Sequence, residues 1–263
     1  MQVATWNVNS IRMRLNHVVD WLQARPVDVL CLQETKVVDE LFPGAAFEAV
    51  GYHPYIYGQK TYNGVALLSR QPLDDVKLGF VGVLDPVEVG DLDEQKRVIA
   101  GVTKGVCIVN LYVPNGSSVG SDKYAYKLRW LALLQKYLAA LLTQYQQVNV
   151  CGDFNIALED RDIYDPAGKE THIMASPVER EALQAVLSVG LKDAFRKFTQ
   201  EGGHYSWWDY RAASFRRNHG WRIDHHYLSP TLYEQAQRCT IDVEPRQQEQ
   251  PSDHTPVIVE YLV

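Results

Sequence analysis

Three stretches of this chain are apolar almost without interruption: residues 27–33 (VDVLCLQ), 64–69 (GVALLS) and 148–151 (VNVC). A strand with one face in water alternates polar and apolar residues. A strand that is apolar throughout must be covered on both faces. Such strands require a layer above and a layer below. Residues 97–103 and 106–112 are further strand-like runs, separated by Lys104-Gly105, a hairpin signal. Later strands are expected at 222–228, 240–244 and 256–262.

Helical spacing covers the rest. Leu15, Val18, Val19 and Leu22 lie on one helical face, and Leu128, Leu131, Gln135, Leu138 and Leu142 on another, within a pattern running over 122–144. Ser176-Pro177-Val178-Glu179 is a capping box with proline at the first helical position, and Gly190 is the expected stop. Strands outnumber helices, hairpins occur, and no linker, repeat or low-complexity tract divides the chain. The expectation is one α/β (α+β) layered domain over residues 1–263.

Composition narrows the class. Hydrophobic residues are 46% and charged residues 22% of the 263, an ordinary globular mixture that excludes a disordered or fibrous chain. No apolar run reaches the roughly 18 residues of a membrane span, and the first residues lack a basic and apolar leader, so a soluble, cytoplasmic protein is expected. Cys31, Cys107, Cys151 and Cys239 lack metal-site spacing and read as buried small hydrophobes in a reducing compartment. The net charge of −6 excludes binding to a polyanion through bulk charge. Any such partner needs a local basic face or a bridging metal.

Polar groups gather where strands end. Residues 27–33 run into Glu34, and 148–151 run through Gly152 into Asp153-Phe154-Asn155. The strand ending at Tyr112 delivers Asn115, Ile223 is followed by Asp224, and Ser252-Asp253-His254 precedes the last strand. Asn7 and Asn9 follow Trp6 in the first strand. Singly, each has an ordinary structural reading: a solvated strand end, an Asp/Asn turn after glycine, a packed tyrosine. Jointly they place carboxylates, amides and one imidazole where a layered sheet presents loops to a cleft.

The local words are more specific. They include Thr5-Trp6-Asn7-Val8-Asn9-Ser10-Ile11-Arg12, Leu32-Gln33-Glu34-Thr35-Lys36 and Gly64-Val65-Ala66-Leu67-Leu68-Ser69. Next come Tyr112-Val113-Pro114-Asn115-Gly116, Gly152-Asp153-Phe154-Asn155-Ile156-Ala157 and Trp207-Trp208-Asp209-Tyr210-Arg211. Gly220-Trp221-Arg222-Ile223-Asp224 and Ser252-Asp253-His254-Thr255-Pro256-Val257 complete the set. In this order the chain resembles, nearly end to end, the exonuclease III family of apurinic/apyrimidinic (AP) endonucleases. The resemblance implies a four-layered α/β sandwich, two packed mixed sheets flanked by helices. It implies Mg²⁺-dependent cleavage 5′ to abasic sites, with Mn²⁺ as a substitute metal. It also implies 3′→5′ exonuclease action on duplex DNA and removal of 3′ blocking groups (3′-phosphatase and phosphodiesterase), in base excision repair.

Phosphodiester hydrolysis needs an in-line water, neutralisation of a pentavalent anion and a stabilised leaving oxygen. By family match Glu34 is the direct metal ligand, with Asn7 and Asp253 beside it and Asp153 and Asn155 on the opposite side. Asp153 is the candidate base or orienter of water, fixed by Asn155. His254, partnered by Asp224, would donate to a phosphate oxygen, and Tyr112 and Asn115 would complete the clamp. Three groups remain open as generators of the nucleophile, in this order of preference: Asp153, a hydroxide on the metal, or the His254–Asp224 pair. Asn9 stands where some animal relatives carry Asp, which implies weaker metal affinity there. The loop after Asn115 carries no basic residue before Lys123, and it helps set the balance of activities in the family, so that balance stays open.

Residues 204–226 answer the charge problem. They hold Arg211, Arg216, Arg217 and Arg222 among Trp207, Trp208, Tyr210, Phe215 and Trp221, with only Asp209 and Asp224 as acids. Arginine contacts phosphates, and aromatic faces stack on or wedge between bases. Arg211 and Arg222 are therefore candidate DNA contacts, with Arg12, Lys36 and Lys60 on neighbouring loops. Trp208 reads equally well as core. Trp207, Trp221 and Ile223 match family positions that line the pocket for an extruded baseless sugar, which has little stacking to lose. The expected partner is double-stranded DNA with abasic sites or 3′ ends, bound by a monomer. Competing readings are a nonspecific nuclease or phosphatase of the wider superfamily, and a non-catalytic DNA damage-binding protein. The full set of site residues and the basic aromatic segment count against both.

Overall fold

The computed structural model describes residues 1–263. The first strands are β1 (Gln2–Asn7), β2 (Val29–Gln33), β3 (His53–Tyr57) and β4 (Val65–Ser69). They are followed by β5 (Asp74–Leu78), β6 (Val98–Thr103), β7 (Val106–Tyr112), β8 (Val148–Asp153), β9 (Lys192–Asp193) and β10 (Asp224–Leu228). β11 (Ala236–Ile241) and β12 (Val257–Tyr261) close the chain. Two six-stranded mixed sheets result, ordered β11-β12-β1-β2-β4-β3 and β5-β6-β7-β8-β10-β9. The helices are α1 (Ile11–Ala24), α2 (Gly44–Glu48), α3 (Pro86–Val89), α4 (Asp122–Gln144), α5 (Pro177–Leu187), α6 (Ala194–Phe198) and α7 (Pro230–Gln235).

Side-chain parity explains why the central strands are apolar throughout. On β2, Leu30 and Leu32 join Trp6, Val18 and Leu22 under α1, while Val29 and Cys31 face the other sheet. On β8, Val148 and Val150 pack with Trp130, Leu134 and Leu138 of α4, while Cys151 meets Val29, Ile99 and Ile108 between the sheets. Helix, sheet, sheet and helix therefore share three apolar interfaces, the four-layered sandwich that the resemblance implies. No helix is long and apolar enough to cross a membrane.

A polar strap crosses the otherwise apolar contact between the sheets. Gln33 donates to Thr5 Oγ1 at 2.8 Å and to Asn110 Oδ1 at 2.7 Å. Asn110 in turn donates to the carbonyls of Leu32 and Ala66, both at 2.9 Å. A buried polar group must be paired, so this strap allows one alignment of the sheets and penalises others.

Local signals place most elements. Lys104 and Gly105 take left-handed φ values of 50° and 76°, the two-residue turn that matches strand twist. Ser176 Oγ accepts from the Glu179 amide, and Glu179 reaches back to the Ser176 amide. Some boundaries differ from expectation. β11 begins at Ala236 because its ladder runs along β12, and 244–247 form a 3₁₀ turn around Pro245. The edge strands β3 and β5 escape sequence reading because Pro54 and Asp74-Asp75 are poor strand residues, tolerated where one side has no partner.

Candidate active site

Strand register brings the polar residues together. Asp153 ends β8 opposite Tyr112 on β7 and opposite Asp224 on β10. Gly152 lies at φ 144°, and a Cβ there would sit 1.9 Å from the Leu111 carbonyl, so only glycine lets β8 end this close to β7. Asn7, at the end of β1, reaches across from the other sheet. Its amide nitrogen donates to Glu34 Oε1 and to Asp153 Oδ2, both at 2.9 Å. The site is thus assembled at one shared edge of the two sheets.

Asp153 is held from several sides. The Asn155 amide donates to Oδ1 at 2.9 Å and the Asn155 side chain to Oδ2 at 3.3 Å. Asn155 also accepts from Asn115 Nδ2 at 3.0 Å and donates to the Val113 carbonyl at 3.0 Å, which ties the two loops together. Asn9, Ser10, Glu34, Lys36 and Asn155 all carry positive φ. That conformation is costly for residues other than glycine, and such strain collects at functional sites.

The imidazole of His254 is fixed by Asp224, with Nδ1 at 2.9 Å from Oδ2 and 3.1 Å from Oδ1. Ser206 Oγ donates to the same Oδ2 at 2.6 Å. His254 Nε2 lies 3.7 Å from Asp153 Oδ2, beyond hydrogen-bond reach, so its proton stays free for a third group. Burial alone would lower the His254 pKa, but Asp224 and then Asp153 outweigh it and lift it to about 10. Burial pushes Asp153 up to about 7, with His254 opposing and Asp224 adding to the rise. Burial, reinforced by Glu34, keeps the Tyr112 phenol well above its usual range, so it remains a proton donor. The Arg97 guanidinium lies 4.6 Å from the Tyr112 ring centre and donates to the Tyr112 carbonyl at 3.0 Å.

Burial would raise Glu34, yet its pKa is lowered, chiefly by Lys36 and by the Asn7 hydrogen bond. The Lys36 ammonium lies 2.8 Å from Glu34 Oε2 and 2.6 Å from Asn9 Oδ1. The donors around this point are carboxylate and amide oxygens, the set that hard divalent cations select, and Glu34 already holds one positive group. Asn7 presents its NH₂ to the Glu34 and Asp153 carboxylates and its oxygen to the Asn9 amide at 3.0 Å, and so links the two carboxylates. Asp253 accepts from Asn9 Nδ2 and from Trp207 Nε1, both at 3.0 Å, and so positions the neighbouring wall. Asp153, Asp224 and His254 offer ligand-type atoms within 4.8 Å of one another. Both imidazole nitrogens are directed at carboxylates, which suits proton donation better than ligation.

Beside this centre lies a cavity of about 320 Å³ lined by Tyr164, His172, Met174, Arg211, Trp207 and Trp221, among others. The two indoles meet edge to face with centroids 6.5 Å apart. On the opposite flank a groove of about 740 Å³ takes in Tyr112, Asn115, Arg97, Tyr62 and Lys123. Ile223 packs behind the cavity with Trp221, Ile163 and Ala157 and does not line it. Trp208 is buried against Phe215.

Arg222 requires a correction. The expected DNA contact is 1% exposed, with Nε 2.7 Å from Asp162 Oδ1 and Nη2 2.7 Å from Asp193 Oδ2. A guanidinium saturated by two buried carboxylates is a fold element and cannot reach phosphate. Arg211 is exposed at the cavity mouth and paired with Asp209 at 3.0 Å. Arg12 is exposed, as are Arg216, Arg217 and Lys60. Ser206, Arg97 and Lys127 escaped the sequence reading as site residues, and Glu179 entered it only as half of a capping box. Lys127 left a signal as a lysine on the apolar stripe of α4 between Tyr124 and Leu131.

The Endonuclease/Exonuclease/phosphatase family model matches residues 4–254. The chain belongs to that family, whose members depend on divalent metal. Within it, the exodeoxyribonuclease of Bacillus subtilis is 34% identical over 263 residues, spanning 98% of each chain. Exodeoxyribonuclease III of Haemophilus influenzae is 33% identical over 276 positions, covering 99% of this chain and 100% of its own. Among solved structures, a Neisseria 3′ phosphatase bound to a product DNA hairpin matches with a TM-score of 0.95 and 41% identity over 100% of both chains. An AP endonuclease from Archaeoglobus fulgidus matches with a TM-score of 0.93 and 37% identity over 100% of both chains.

Proposed function

We propose that this protein is a DNA repair nuclease that hydrolyses phosphodiester bonds 5′ to abasic sites, degrades duplex DNA 3′→5′ and clears blocked 3′ ends. One observation carries this reading. A buried carboxylate near neutrality, Asp153, faces a charged His254–Asp224 pair across 3.7 Å, beside a cavity walled by two indoles.

Asp153 takes the proton of the attacking water, and Asn155 and Asn7 hold its oxygens in register. The Nε2 proton of His254, the Tyr112 hydroxyl and the Asn115 amide donate to phosphate oxygens, where charge grows in the transition state. Mg²⁺, with Mn²⁺ as a substitute, would be held by Glu34 with Asp153 close by, and would supply charge neutralisation at the phosphate. A flipped sugar without a base has little stacking to lose and can enter an indole-walled cavity of about 320 Å³. Likeness to a 3′ phosphatase and to an AP endonuclease supports both kinds of activity.

Both sheets contribute to a single edge, which supports a single domain over 1–263 that acts on duplex DNA. Cleavage of one labelled abasic duplex tests the reading. The expected product is a nick 5′ to the abasic site with Mg²⁺ and none with chelator. Equal cutting of an undamaged duplex, indifferent to chelator, would overturn it. Asp153→Asn should lower kcat by roughly 10²–10⁴, and an unchanged product profile would remove Asp153 from its role.

A further inference from the structure

We propose that Lys127 and Glu179 form a buried positioning unit that sets the spacing between the Asp153–Asn155 loop, the Asn115 loop and the cavity wall. This rests on the phosphodiester-cleaving reading above. Lys127 stands in the second turn of α4, and both side chains of the pair are 0% exposed. Its ammonium has three protons, and each has a partner. It donates to the Asn155 carbonyl at 2.8 Å, to the Asn115 carbonyl at 3.2 Å and to Glu179 Oε1 at 2.5 Å.

The two carbonyls belong to the residue that holds Asp153 and to the residue that clamps phosphate. Asn155 sits at φ 50°, a left-handed turn that asparagine tolerates, and the ammonium anchors that turn through its carbonyl. Glu179 extends the ties to the third segment. Its Oε1 also accepts from the Met174 amide at 3.0 Å, and Met174 lines the indole cavity. Its Oε2 accepts from the Ser176 amide at 3.2 Å and from Ser176 Oγ at 2.6 Å. Ser176 Oγ is 2.7 Å from the Tyr124 hydroxyl, one turn before Lys127 on α4. Base loop, clamp loop and pocket wall are thereby referred to one rigid helix.

Stability does not account for the pair, because buried ion pairs are commonly replaced by apolar residues at little cost. Geometry does. The Asn115–Asn155 bond and the Ala157 amide to the Met174 carbonyl join these segments in pairs, whereas the Lys127–Glu179 unit joins all three. Lys127 touches neither substrate nor reacting atoms, so it acts by placement.

The double variant Lys127→Met/Glu179→Gln tests this, because it removes the ties without stranding a buried charge. Tm, kcat and KM are read for wild type and variant on an abasic duplex and on an undamaged duplex with a recessed 3′ end. The variant is expected to stay folded, keep KM within about threefold and lose kcat by roughly 10²-fold on both substrates, as displacement of reacting groups by about 1 Å would produce. A folded variant with kcat within about threefold of wild type overturns the inference. If wild type shows no preference for the abasic duplex, the substrate reading fails, while the variant-to-wild-type ratio on the bond it does cut still tests the pair. Should that variant not fold, Lys127→Gln/Glu179→Gln replaces it. Its amides can bond one another, and the shortened side chain at 127 falls one atom short of both loop carbonyls; the same kcat criterion applies.

Discussion

At the scale of single residues, the proposed catalytic centre is a balance of burial against charge. Burial drives Asp153 to about 7, while Asp224 and Asp153 keep His254 protonated to about 10. A base works when deprotonated and a donor when protonated. Hydrolysis should therefore rise as pH climbs through about 7 and fall as it passes about 10. A kcat profile at fixed metal checks this, and a flat profile between about 6 and 8 would remove Asp153 as the base. Asp224→Asn should bring the upper limb down toward the ordinary imidazole value of about 6.5. Much of this centre was legible in the chain, because Glu34, Asp153, Asp224 and His254 each stand beside an apolar strand. Ser206 and Arg97 were not. A serine between Tyr205 and Trp207, or an arginine opening a strand, carries no local mark of the partner it will meet.

At the scale of elements, strand ends do the positioning, and the strap between the sheets keeps those ends level. Asn110→Ala should cost about 2–4 kcal/mol, since it takes a donor from two buried carbonyls and the inter-sheet acceptor from Gln33. Chemical denaturation would measure this, and a loss below about 0.5 kcal/mol would show that water or relaxation replaces the strap. Arg222→Met should cost about 3–5 kcal/mol, because Asp193 would lose its guanidinium and buried Asp162 would keep only Arg196. A loss of DNA affinity with unchanged stability would instead restore Arg222 as a DNA contact. Helices α1, α4 and α5 and the hairpin were readable from capping box, spacing and turn residues, since those signals act over a few positions, whereas α2, α3, α6 and α7 are too short to show a period. The edge strands β3 and β5 were not, because the ladder made by one neighbour stabilises them against poor local propensity.

For the whole molecule, acid stability follows from the ion network behind the cavity. Burial lowers His225 to about 4, with Arg222 adding to the effect. Burial would raise Asp162, but Arg222 outweighs it and holds it at about 2. Between about 6.5 and 4 the unfolded chain takes up a proton on His225 that the fold refuses, so stability falls with pH. Below about 4 the unfolded Asp162 protonates while the folded one resists until about 2, and stability falls again. Asp153, lifted to about 7, takes up its proton in the fold over the same range and opposes the His225 loss. Urea midpoints near pH 7, 5 and 3 are therefore compared between the wild type and His225→Gln, and the wild type should lose more from 7 to 5. Parallel midpoints for the two proteins would mean that His225 titrates normally.

The net charge of −6 acquires a different meaning from this distribution. Several of the acids support the site, while the cations beside the cavity divide into exposed and buried. By itself the amino-acid order determined the layered class, the strand-end residues and the family words, because periodicity, caps and turns are short-range properties of the chain. Only the tertiary structure decided which basic residues are free. Arg222 meets Asp162 across 60 positions and Asp193 across 29, and Lys127 meets Glu179 across 52. A charged side chain is buried or exposed according to distant partners that desolvate with it, and no local pattern encodes that pairing.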